Sequence, residues 1–191
     1  MIKCNGLFSP KTIAVLTNTE LEAIKKKLNL VELPREGGFY RETYRSKFFT
    51  THTYFRRDKS KVSQDNIRSA VTLIYYLLEG REHFSAFHRL KSDEIWHFYR
   101  GSPVMIYVID NKGRLTKIRL GNDIGQGEQC HAIISAGLWF GARVDDSTSF
   151  ALIGCTVTPG FDYKDFELGP RSKLIRMFPK HEATILSLTN E

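Results

Sequence analysis

From Ser69 to Thr158 the chain is a succession of short apolar or alternating segments divided by tight-turn residues, with no helical stretch between them. Ala70 to Leu78 is continuously apolar, β-branched or aromatic, the pattern of a strand buried on both faces. Glu79-Gly80 turns, and segments 83–90 and 94–100 follow. Val104 to Ile109 and Arg114 to Leu120 flank Asp110-Asn111-Lys112-Gly113, a hairpin signature. Cys130 to Ser135, Leu138 to Val144 and Ser149 to Thr158 complete the series, and Pro159-Gly160 ends it. About eight to ten short strands at this spacing make an antiparallel sandwich or barrel, so the expected fold class is all-β.

Helical patterning is confined to the two ends. Thr17 to Leu28 carries Leu21, Ile24 and Leu28 at helical spacing, and Thr17 with Glu20 forms a capping box. The tail, 161–189, holds two short helical stretches, around 170–178 and 181–188, expected to pack outside the barrel. The whole, 1–191, is expected to be one domain, with the barrel over 37–160. Between helix and barrel, Gly37-Gly38 marks a turn or a close backbone approach. After it, Phe39, Arg41, Thr43 and Arg45 alternate with Tyr40, Glu42, Tyr44 and Ser46, a strand suited to a pocket wall, a subunit interface or a plain edge. Residues 47–68 are polar and basic and predict an irregular loop with at most a short hairpin; His52 receives no role. The glycines of loop 121–129 do not lead from a strand into a helix, which argues against a phosphate cradle.

Composition removes several function classes. The formal net charge of +7 is scattered and lacks an aromatic-basic repeat, so no nucleic acid is expected as partner. No apolar run approaches the roughly 18 residues a membrane helix needs, and the first 16 residues lack a secretory signal, so no membrane is expected and a cytoplasmic location is. Cys4, Cys130 and Cys155 are odd in number and without a paired motif, which argues against a disulfide framework.

The candidate site lies in 84–101, FSAFHRLKSDEIWHFYRG. Strand alternation puts Phe84, Ala86, His88 and Leu90 on one face and Glu94, Trp96 and Phe98 on another. His88 and Glu94 are then a polar pair in an apolar lining, the look of a small-molecule pocket. A His near its ordinary pKa is a natural base, with a carboxyl to orient it or act as acid. Tyr40, Tyr44 or Tyr76 offers a hydroxyl as a second proton carrier, with Tyr40 the candidate catalytic residue. Phe87, Trp96, Phe98 and Phe140 are candidates to stack on a ligand ring. Arg41, Arg89 or Arg143 offers a guanidinium for a phosphate, Arg41 preferred, with Glu42 beside it as a ligand contact. Asp162 is expected to cap a short helix, and Cys155 to belong to the core.

These segments resemble cupins. The first cupin motif has a His, a second His two residues on, a Glu after three or four more, and a Gly seven after that. His88, Glu94 and Gly101 match it, with Leu90 at the second His. The second motif has a Pro-x-Gly turn and a His three residues after the Gly; IISAGLWFGA, 133–142, fits in register, with Ser135 for the Pro and Phe140 for the His. GGFYRETYRS (37–46), LIGCTVTPGFDYKDFELG (152–169) and FPKH (178–181) extend the likeness to a small cupin subfamily related to dTDP-4-dehydrorhamnose 3,5-epimerase-like proteins. The resemblance implies a jelly-roll barrel, a homodimer formed through sheets and a pocket at the barrel centre.

A typical cupin metal takes three His and one Glu, and only His88 and Glu94 of that set are present. His97 falls on the wrong strand face, and His83 and His131 lie on other strands. No metal and no cofactor are therefore expected. Three functions stay open. The first is a metal-free isomerase or epimerase on a nucleotide sugar, sugar phosphate or other carbonyl metabolite, with His88 as base. The second is a non-catalytic sensor or carrier of a small-molecule ligand. The third is a metal-dependent dioxygenase or isomerase.

Overall fold

Alternating and continuous apolar segments form strands here because every one of them finds an antiparallel partner, several of them far along the chain, as β5 does in β12. The structure, a computed structural model, describes residues 18–51, 67–80 and 83–190. In chain order it contains helix α1 (Asn18–Leu28) and strands β1 (Val31–Glu32), β2 (Phe39–Arg45), β3 (Phe49–Thr51), β4 (Ile67–Ser69) and β5 (Thr72–Glu79). Strands β6 (Ser85–Leu90), β7 (Asp93–Gly101), β8 (Val104–Ile109), β9 (Leu115–Leu120), β10 (His131–Ile134), β11 (Trp139–Val144) and β12 (Phe150–Thr158) follow. Strand β13 (Phe166–Leu168) and helices α2 (Arg171–Met177) and α3 (Glu182–Ser187) complete the chain.

One sheet has the order β1-β2-β5-β12-β7-β10 and faces a second, β13-β6-β11-β8-β9, while β3 and β4 form a separate ribbon. All of these pairings are antiparallel. Two facing antiparallel sheets with crossed connections are the expected jelly roll. The connection from β6 to β7 does most to position the barrel interior. It is a bend at Lys91-Ser92, yet β6 pairs with β11 and β13 whereas β7 pairs with β12 and β10. The chain thus changes sheets there, and β6 and β7 face each other across the barrel.

The β8–β9 hairpin turns at the expected Asp110 to Gly113. Gly113 takes φ of +75°, and Asp110 Oδ1 accepts from the backbone N–H groups of Lys112 and Arg114. Two features exceed the sequence expectation. Strand β13 pairs with β6 where only tail helices were expected, being too short to show a pattern. The β3–β4 ribbon realises the short hairpin expected in 47–68, while residues 52–66, with His52, lie outside the described residues. So does Thr17, and with it the capping box.

The core has two parts. The larger fills the barrel and includes Val104, Ile106, Leu120, Ile134, Val144 and Ile153. The smaller joins Phe87, Ile109 and Trp139 to Leu174, Ile185 and Leu188 of the tail, which covers the outside of the second sheet as expected. No helix among the described residues is long and apolar enough to cross a membrane.

Candidate functional site

The barrel is not filled throughout. Between β2, β5, β12 and β7 on one side and β6 and β13 on the other lies a cavity of about 650 Å³, with the turn at 33–36 and the segment 161–163 bordering its mouth. His88 and Leu90 of β6 line it, as do Glu94 of β7, Tyr40 and Glu42 of β2, Tyr76 of β5 and Cys155 of β12. The pair expected from alternation therefore meets in one hollow, but from opposite sheets.

His88 is 2% exposed, and its Nδ1 lies 2.7 Å from the carbonyl oxygen of Ala86. Only an N–H can bond a carbonyl, so Nδ1 carries the proton and Nε2 of the neutral ring keeps its lone pair. That Nε2 lies 3.9 Å from Glu36 Oε1. The ring is fixed in place by Phe140, at 4.1 Å between centroids, and by Phe166, stacked at 5.3 Å. Glu94 is 7% exposed, and its Oε2 has no hydrogen-bond partner. Burial first, and then the charge of Glu36, raises its pKa to about 8, while the Trp96 indole and Cys155 thiol act in the other direction. At neutral pH it is a carboxylic acid. Tyr76 donates its hydroxyl to the carbonyl of Gly37 at 2.9 Å, and burial drives its pKa well up; burial does the same to the Cys155 thiol.

Glu36 is the member of this group that the sequence reading missed. It stands on the turn that precedes Gly37-Gly38, where a Cβ on Gly37 would collide with the Phe84 carbonyl oxygen. That close approach presses the turn onto β6. Ala86 N–H donates to the Glu36 carbonyl at 2.8 Å, and Ser85 Oγ donates to Glu36 Oε1 at 3.1 Å. The glycine pair was legible as a docking point, and the charged residue directly before it was the available signal.

Strand β2 departs from simple alternation. Its register against β5 shifts between Glu42 and Tyr44, a bulge that absorbs one residue. Arg45 is thereby turned to the cavity side, where its guanidinium grips both oxygens of Glu42 at 2.9 and 2.7 Å and donates to the Phe161 carbonyl. Arg41 precedes the bulge and stays on the outer face, over the Tyr75 ring at 5.7 Å, because its neighbour Tyr40 points in. Arg89 is bound to Glu167, and Arg143 donates to the Ser187 carbonyl. None of the three arginines expected to hold a phosphate lines the cavity.

The aromatic candidates are distributed as parity dictates. Phe87, next to His88 in β6, faces the opposite way and belongs to the cluster under the tail. Trp96 and Phe140 are inside the barrel but form the layer below the cavity, and Phe98 packs deeper against the same core. The lining aromatics are instead Tyr40, Tyr76, Phe161, Tyr163 and Phe166. Tyr44 is 53% exposed. Asp162 does cap the short 3-10 turn Tyr163–Asp165, accepting from Lys164 N–H at 2.9 Å, and it also lines the mouth. Asp165 accepts two bonds from the buried Arg68 guanidinium, tying this wall to β4.

The donor set does not fit the metal that the resemblance implies. Leu90 and Phe140 occupy two of the ligand positions. The described residues contain no group of three or more His, Cys, Asp or Glu arranged to hold a metal ion. His97 bonds Thr156 on the outer face opposite His131, and His83 packs on Phe39.

Comparison with known proteins agrees with the architecture. The family model described as Cupin superfamily (DUF985) matches residues 22–169. The uncharacterized protein YML079W of Saccharomyces cerevisiae is 28% identical over 134 residues, 69% of this chain and 66% of the yeast protein, so the match spans just under two thirds of that relative. The crystal structure of protein SO0799 from Shewanella oneidensis superposes with a TM-score of 0.75 at 36% identity, covering 88% of this chain and 96% of that one. A hypothetical protein from Leishmania major gives a TM-score of 0.77 at 32% identity, covering 89% and 98%.

Proposed function

The chain belongs to the cupin superfamily, and on that premise we propose that its cavity binds a small carbonyl metabolite and isomerises or epimerises it by proton transfer, with His88 as base and no metal. The reaction type is that of the dTDP-4-dehydrorhamnose 3,5-epimerase-like proteins. One observation carries the reading: an imidazole nitrogen with a free lone pair and a protonated carboxyl enter the same hollow from facing sheets. They offer a base and an acid on opposite walls of one cavity, as proton transfer next to a carbonyl requires.

In this mechanism His88 Nε2 removes a proton from the carbon beside the carbonyl. The freed electron pair becomes the enol double bond, and the carbonyl oxygen takes the Glu94 proton. The imidazolium so formed faces Glu36 at 3.9 Å, which stabilises it. Glu94 recovers its proton from the enol as the carbonyl re-forms. A proton is returned to that carbon from Tyr40 on the other face, giving epimerisation. In an isomerisation the former carbonyl carbon takes the proton instead. The original carbonyl then does not re-form, and Glu94 recovers its proton from the hydroxyl on the neighbouring carbon as the new carbonyl forms there. His88 then passes its proton to solvent, from which Tyr40 is recharged, and no atom is gained or lost overall.

The test is a thermal-shift screen over nucleotide sugars, sugar phosphates, hexoses and keto acids, with each hit incubated in D₂O and read by NMR. Deuterium is expected at the carbon beside the carbonyl, and not with His88→Gln. A ligand that binds and returns unlabelled would reduce the protein to a carrier or sensor. Activity abolished by chelation and restored by a divalent ion would replace the mechanism with a metal-dependent one. A homodimer through the outer face of the six-stranded sheet, where Tyr99 and Ile133 are exposed, belongs to the same proposal and is tested by sedimentation.

A further inference from the structure

We propose that the barrel cavity selects a ligand carrying a protonated amine over its phosphate-bearing counterpart, because Glu36, on the turn that lines it, has no lysine or arginine partner among the described residues. The assignment takes from the proposed function only that a small metabolite enters the cavity. Glu36 Oε1 meets Ser85 Oγ and, at 3.9 Å, His88 Nε2, and the Glu36 side chain is 14% exposed. A carboxylate so enclosed, without a counter-ion, is costly unless something cationic joins it. His88 Nε2, at 3.9 Å, stands beyond hydrogen-bond reach of Glu36 Oε1.

A second, independent observation points the same way. Glu94 Oε2, on a residue more than nine-tenths buried, is aimed into the cavity without a hydrogen-bond partner. An ammonium has three donors and can engage both carboxyl groups. The walls add the faces of Tyr40, Tyr76, Phe161, Tyr163 and Phe166, and aromatic faces attract cations.

The same surroundings disfavour a phosphate. It would enter past Asp162 and Glu42 toward Glu36, and like charges repel strongly in a partly dry cavity. Arg45 is committed to Glu42 and the Phe161 carbonyl, and Arg35 stands exposed at the mouth. Among the described residues no other lysine or arginine lines the cavity.

The experiment is calorimetric titration of the full chain with matched sets: glucosamine, glucose and glucose 6-phosphate, and the corresponding galactose and mannose compounds. In at least one set the amine is expected to bind about tenfold or more tighter than the hydroxyl compound, the gain of a charge-assisted bond, with the phosphate weakest. In Glu36→Gln, which keeps the shape and the Ser85 bond, the ratio of amine to hydroxyl affinity is expected to fall toward one. Should that variant fold poorly, the wild-type ranking decides alone. Equal affinities, a phosphate that binds tightest, or no binding by any amine at millimolar concentration would overturn the assignment. These outcomes are separate from deuterium exchange: amine binding without exchange sinks the reaction and keeps the ligand class, and exchange on an uncharged or phosphorylated ligand does the reverse.

Discussion

The two halves of the barrel interior are built from many of the same strands and end in opposite chemistry. On one side Val104, Ile106, Leu120, Ile134, Val144 and Ile153 interlock without space. On the other, the same sheets enclose about 650 Å³ around Glu36, His88 and Glu94. The boundary is an aromatic layer in which Trp96 meets Tyr76 edge-on at 5.8 Å and Phe140 at 6.1 Å. Strand β7 crosses it in two steps, from Glu94 in the hollow to Trp96 in the layer, and β12 does so from Cys155 and Val157 to Ile153. Position along a strand, rather than the strand itself, decides whether an inward side chain packs or binds. The filled half holds the sheets together, which lets the hollow half carry ionisable groups that stability alone would not select.

That contrast can be broken from either side. The largest effect is expected at the base: His88→Gln should reduce deuterium exchange by about 10²–10⁴-fold, the usual contribution of a positioned proton carrier, with thermal unfolding little changed. Phe140→Ala should behave the other way, lowering stability by about 3–5 kcal/mol in chemical denaturation because a fully buried ring leaves a void. Glu94 sharpens the comparison through pH. Its folded pKa of about 8 lies above the ordinary 4.5, so the folded state holds an extra proton across that interval and loses stability as pH rises through it. Glu94→Gln should therefore be more stable than wild type by on the order of a few kcal/mol above about pH 8, and equal to it near pH 4.5. Exchange by the wild type should fall over the same upper range as Glu94 loses its proton. The smallest effect is expected at Arg41→Ala on the outer face, where ligand affinity should stay within about twofold, since the guanidinium does not line the cavity.

Much of the fold and part of the site are legible in the amino-acid sequence, for physical reasons that can be named. Two-residue periodicity and turn residues located β8 to its ends and β5, β9, β11 and β12 to within two residues, because each is long enough to repeat the pattern. The same parity placed His88 and Glu94 inward. It also set Phe87 on the face away from His88, against the expectation that Phe87 stacks on a ligand, and the tail cluster shows that parity prevails. What escaped had local causes. The bulge after Glu42 absorbs a residue and turns Arg45 inward, and a bulge leaves no mark in composition. Glu36 sits on a turn, where alternation says nothing. Trp96 and Phe140 are inward as expected, but their depth relative to the hollow depends on how the two sheets stack. The length of β13 is three residues, below what a pattern can reveal.

The change of sheet at Lys91-Ser92 has one more consequence. His88 and Glu94 are neighbours in the chain, yet the link between them does not set the gap across which a proton would travel. That gap follows the separation of the two sheets, and at this level the rings of Trp96 and Phe140 are the shims between them. A thinner shim closes the jaws and a thicker one opens them, with both end groups chemically untouched. Reactivity in this chain is thus adjustable from residues that never meet the guest.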